Sequence, residues 1–161
     1  MAAARTGQGQ KGNSMAEIGF YHLTRSTPEQ ALPALLGRTL DAGHRAVVRC
    51  GSEERVKWFD DALWRADDPV WLPHGTRATG HGSWQPIWLT AGEDVPNDAT
   101  FLFLLDGVAY DGQARFERVF DLFDGHDEQA VAAARRRWVA CREAGHALTY
   151  WQQQAKGWTR R

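Results

Sequence analysis

The sequence predicts an α/β protein: a three-layer α/β/α sandwich around a mostly parallel sheet of about five strands, Rossmann-like but without a nucleotide site. Three observations lead there. Short apolar runs alternate with helical patterns along most of the chain, the arrangement that builds β-α-β units with right-handed crossovers. Residues 101–105 (FLFLL) form a continuous apolar run, as expected of a central strand buried on both faces. GxxxxGK[ST] does not occur, so the phosphate-cradling loop of nucleotide hydrolases is not available.

In chain order, residues 17–23 (EIGFYHL) read as the first strand. Ser26, Thr27 and Pro28 look like a helix start, a hydroxyl cap followed by proline in the first turn. Ala31, Leu32, Leu35, Leu36 and Leu40 give that helix an apolar stripe. Pro33 leaves two starts open: Pro28, or Pro33 itself with Ala31 and Leu32 in a lead-in turn. Asp41-Ala42-Gly43 ends the helix. Residues 44–50 hold a buried strand around Ala46-Val47-Val48. Ser52 caps the next helix, Glu53 and Glu54 sit in its positive first turn, and Val56, Phe59, Leu63 and Trp64 form its packing face.

Residues 67–85 carry Pro69, Pro73, Gly75, Gly80 and Gly82 and read mostly as loop, with a short edge piece at 70–74. Strands follow at 86–90 and 101–105, a short helix at 111–117 and a strand at 118–123. The longest helix spans 127–145, a last edge strand 148–151, and a polar basic end 156–161. Residues 1–14 are small, polar and Gly-rich and read as a disordered N-terminal extension, with Met15 as the functional start. One domain is expected over 15–152, and a polar basic tail over 153–161.

A net charge of −1 gives the molecule no overall pull toward nucleic acid, so any anion must be held by a local patch. Eight tryptophans are many for this length, and Trp is common at binding surfaces, so some should be exposed for contact. Cys50 and Cys141 lie far apart without CxxC spacing, which fits a reducing, cytoplasmic compartment. No secretory h-region and no membrane-length apolar run is present.

Catalytic constellations are not evident. The run ending at Asp106 resembles the strand that holds magnesium in nucleotide hydrolases, but its partner loop is missing. The six histidines do not pair at metal-binding spacing, so no metal and no cofactor is expected. No GxSxG elbow occurs. The enzymatic alternative is a small α/β hydrolase or nuclease using Asp106 and His74 in a cleft.

The helix at 127–145 carries two messages. Ala130, Ala134 and Cys141 suit packing on a sheet. Val131, Arg135, Trp138 and Arg142 fall on another stripe, with Val139 beside it. Two readings of that stripe stand. Either Trp138 is core and the arginines are a solvated face, or the stripe docks something acidic with an apolar end.

Gly19-Phe20-Tyr21-His22-Leu23, Asp60-Asp61-Ala62-Leu63-Trp64, Trp71-Leu72-Pro73-His74, and Arg135-Arg136-Arg137-Trp138 running to Ala144-Gly145 resemble, in order and spacing, the chi subunit family of bacterial DNA polymerase III. The likeness covers about 15–151. It implies an α/β/α accessory subunit without enzymatic activity. Such a subunit binds the acidic C-terminal tail of single-stranded DNA-binding protein and, where the source has one, the psi subunit that joins it to the clamp loader. Carried onto this chain, the tail-binding positions are Arg135, Trp138, Trp64 and Trp71, with Arg142, Val131 and Val139 added from the stripe. Where family members can carry Tyr then Lys, this chain has Trp138 then Val139, and another family Lys falls at about Val131. No strong direct nucleic-acid binding and no membrane partner is expected.

Overall fold

The computed structural model describes residues 16–68, 71–111 and 116–161. The chain runs β1 (Glu17–Leu23), α1 (Pro28–Asp41), β2 (Ala46–Arg49), α2 (Glu53–Arg65), β3 (His74–Gly75), β4 (Ile87–Thr90), β5 (Phe101–Leu104), β6 (Arg118–Asp124), α3 (Glu128–Glu143), β7 (Ala147–Gln153) and β8 (Trp158–Arg160). Among the described residues eight strands form one sheet, ordered β3-β4-β2-β5-β6-β1-β7-β8. Every ladder is parallel except that of β7 with β8.

Strand alternation divides the core in two. Ala46, Val48, Ile87, Leu89, Phe103, Phe120 and Leu122 point to one face, where Leu32, Leu35 and Leu36 of α1 and Val56, Phe59 and Leu63 of α2 cover them. Ile18, Phe20, Val47, Leu102, Leu104 and Val119 point to the other, which Ala134 and Cys141 of α3 cover. These are the three expected layers. The central strands are apolar at successive positions because both of their faces are dry.

The sheet is wider than the expected five strands. The edge piece expected at 70–74 forms only as the two-residue β3 at its end, with residues 71–73 in no strand and residue 70 outside the described residues. The strand expected last at an edge, β7, lies inside, between β1 and β8. Its outer neighbour β8 occupies the residues expected to be a polar tail. A tight return makes this possible: Gly157 adopts φ +72° and the Gln154 N–H donates to the Gly157 carbonyl at 3.0 Å. Trp158 then packs edge-on against Tyr21 at 5.1 Å. Three residues are too few to show a strand period, which is why the sequence pattern missed β8.

Helix α1 begins at Pro28 and passes through Pro33. The Thr27 N–H donates to Gln30 Oε1 at 3.0 Å, the reciprocal arm of a capping box, and sets the start early. Burial of Leu32 and Leu36 against the sheet offsets the single backbone bond that Pro33 cannot make. On α2, Ser52 Oγ accepts from the Arg55 N–H at 3.2 Å as expected. Trp64 leaves the packing face, being 68% exposed, because Phe59 and Leu63 already fill it. The short helix expected at 111–117 falls largely outside the described residues.

Candidate functional site

Two side chains of Asp127 and Arg137 decide how α3 lies. Asp127 caps the helix, accepting from the Gln129 and Ala130 N–H groups at 2.9 and 3.3 Å. Arg137 donates twice to Asp121 of β6, at 2.7 and 2.9 Å, with both side chains nearly buried. That pair fixes the helix about its own axis. It leaves Ala134 and Cys141 underneath and tips Val131, Arg135, Trp138 and Val139 toward one flank.

On that flank lies a cavity of about 360 Å³. The sheet supplies its floor: Phe20 and His22 from β1, Phe123 from β6 and Tyr150 from β7. Strand register brings these together, since Phe20 lies opposite Tyr150 and His22 opposite Phe123. The helix supplies the wall through Val131, Arg135, Trp138 and Val139. Trp138 is half-buried, edge-on to Phe20 at 5.3 Å and to Tyr150 at 6.2 Å. Trp138 is thus neither sealed core nor free surface: it packs on Phe20 and Tyr150 and also lines the cavity.

The electrostatics are one-sided. Among the described residues no carboxylate lines the cavity, and Arg135 is the one permanent charge among them there. Among the described residues Arg135 forms no ion pair. His22 shares a short hydrogen bond between Nδ1 and the Tyr150 hydroxyl and stacks on Phe123 at 5.0 Å. Burial, then Arg135, then His126 hold the imidazole below the usual histidine range, so the ring is neutral at neutral pH. Burial pushes the Tyr150 phenol up, and it stays protonated. An apolar cavity walled by a guanidinium that forms no ion pair among the described residues suits a ligand that pairs an apolar group with a carboxylate.

The remaining expected site residues lie elsewhere. Trp64 and Trp71 are 68% and 76% exposed. Trp64 rests against His74 at 4.7 Å at the β3 edge, on the α2 side of the sheet. Trp64 therefore does not share a site with Trp138 and Val131, because the sheet stands between α2 and α3. Arg142 is exposed on the last turn of α3, away from the cavity lining. Of the arginine triplet, Arg136 is exposed and Arg137 is held by Asp121. His22, Phe20, Phe123 and Tyr150 were absent from the sequence-derived site. The alternation of β1 put Phe20 and His22 on one face, but nothing local said that β6 and β7 would flank it.

Asp106 and His74, the enzymatic alternative, do not share a cleft. Asp106 follows β5 and binds Arg55 at 3.1 Å and the Gly51 N–H at 2.9 Å. His74 begins β3, buried, with Nε2 3.1 Å from Asp60. Three strand spacings and the length of a strand separate them, on the order of 20 Å. Among the described residues no group of three His, Cys, Asp or Glu is arranged to hold a metal, and no helix is long and apolar enough to cross a membrane. Cys50 and Cys141 are buried and unbridged, and burial pushes the Cys50 thiol up to about 12.

A family model described as DNA polymerase III chi subunit, HolC matches residues 15–149. No curated protein matches the chain at a significant level.

Proposed function

Because the chain belongs to the DNA polymerase III chi subunit family, we propose that it is a non-catalytic replication subunit whose α3 cavity captures the acidic C-terminal tail of single-stranded DNA-binding protein. In this reading it links that protein to the clamp-loader complex, through a psi subunit where the source has one. The observation that carries the reading is the pairing of an unneutralised Arg135 with an apolar recess bordered by Trp138, Val131 and Val139.

The division of labour follows from the chemistry. A terminal phenylalanine ring fills the recess between Trp138, Phe20 and Val131. Its carboxylate meets Arg135, whose planar fork can donate two hydrogen bonds to one carboxylate. Aspartates upstream remain near solvent and contribute about 0–1 kcal/mol each. Burying the ring contributes about 1.5–3 kcal/mol. A peptide of this size is expected to bind near micromolar, about −8 kcal/mol.

The test is fluorescence anisotropy with a labelled peptide of several aspartates ending in Phe. Saturable binding that Arg135→Ala abolishes is the expected result. Equal binding by Arg135→Ala, or by a peptide lacking the final Phe, removes the proposed pocket.

A further inference from the structure

His22 lies on the cavity floor within electrostatic reach of Arg135, and tail capture as described gives it no task. Its ring is fixed on three sides. Nδ1 is tied to the Tyr150 hydroxyl, one face stacks on Phe123, and Gly125 leaves no room for a side chain against the Cδ2–Nε2 edge. A ring held this firmly keeps its place whether charged or neutral. Tyr150 is a suitable partner for either state, because a hydroxyl donates to neutral Nδ1 and accepts from a protonated one.

Resting on the tail-capture reading, we propose that His22 is a second cation of the pocket, taking up a proton when an acidic C-terminus seats beside Arg135 and so coupling capture to falling pH. The groups that face the imidazole are Tyr150 from β7, Arg135 from α3, and His126 just past β6 with its partner Asp124 at that strand's last position. Arg161 approaches Tyr150 from beyond β8, its backbone N–H donating to the Tyr150 carbonyl at 2.8 Å. In the free protein the nearby positive groups, together with burial, disfavour imidazolium. A carboxylate seated on Arg135 offsets that guanidinium and adds a negative charge of its own. Both changes favour the charged ring.

The sign follows. The histidine midpoint in the complex is higher than in the free protein. The added affinity is full below the free-protein midpoint, itself below the ordinary histidine value, and is lost as pH rises through the midpoint of the complex. Peptide carboxylates stay ionised above about pH 5, so they do not reverse the trend within that window.

The experiment is the same anisotropy titration on the full chain, run from about pH 5.5 to about pH 8 at fixed ionic strength. It is accompanied by NMR titration of the His22 ring with and without peptide. Wild type is expected to tighten as pH falls, by no more than about tenfold per unit for one proton. His22→Gln should bind with a nearly flat pH profile, and His126→Gln should keep the wild-type slope. Addition of peptide should move the His22 ring midpoint upward. A wild-type slope retained in His22→Gln, or a ring midpoint that the peptide leaves in place, overturns the assignment to His22 while leaving the pocket standing. Absence of peptide binding at every pH overturns tail capture and this inference together. Should His22→Gln fail to fold, the ring titration of the wild-type protein decides alone.

Discussion

Arg137 grips Asp121 through two hydrogen bonds, at 2.7 and 2.9 Å, in a nearly dry space between α3 and β6. Arg135, two positions earlier, faces a cavity and forms no ion pair among the described residues. Identical side chains on one helix therefore have separable roles. Removing one partner of a buried pair leaves the other charge uncompensated, at a cost of about 3–5 kcal/mol. Arg137→Ala should lower the unfolding free energy by that much in a urea titration. Arg135→Ala should stay within about 0.5 kcal/mol of wild type while losing peptide binding.

Tail length and salt should separate the apolar and ionic parts of binding. Deleting the final Phe of the peptide should cost about 1.5–3 kcal/mol, read as a rise in dissociation constant of about ten- to one-hundred-fold. Raising salt from about 0.05 to 0.5 M should weaken the full peptide through its aspartates, whose interactions are screened beyond a Debye length. Anisotropy at two salt concentrations checks both.

Val139 is 39% exposed at the cavity wall and carries no charge. Val139→Lys places a second cation near Arg135 without burying it. Peptide affinity should rise by about two- to fivefold, the worth of one exposed charge pair. The same change at the less exposed Val131 should cost stability instead, because its stem packs toward the sheet. Thermal melts and binding isotherms on the two variants distinguish these outcomes.

Trp158 tests whether the C-terminal strand belongs to the fold. Its indole meets Tyr21 at 5.1 Å, and Trp151 stacks on the same ring at 6.0 Å. Trp158→Ala should cost about 1–2 kcal/mol, less than a fully buried aromatic because the side chain is half-exposed. An unchanged melting temperature would mean that β8 contributes nothing to the folded state.

Local signals carried much of this architecture. The FLFLL run marked β5 because a strand dry on both faces has no polar position to show. Ser52 marked its helix start because a cap is a property of three or four neighbouring residues. Relations across the sheet were less visible. Trp64 looked like a packing residue from its spacing, yet its surroundings depend on which side of the sheet α2 occupies. The union of His22 with Tyr150 depends on β7 inserting beside β1, a pairing more than a hundred residues apart in sequence. Of the arginine triplet, only the position of Asp121 determines which member is consumed by the fold.

The sheet ends in strands of two and three residues, β3 and β8. An open strand border is a template on which identical molecules can stack into fibres, and the hazard grows with its length. These borders expose very few unpaired peptide groups, and Arg160 on the last strand adds a like charge to each copy. Concentrated preparations should accordingly resist ordered aggregation through this route, even though the sheet behind those borders is broad and rich in aromatic and branched side chains.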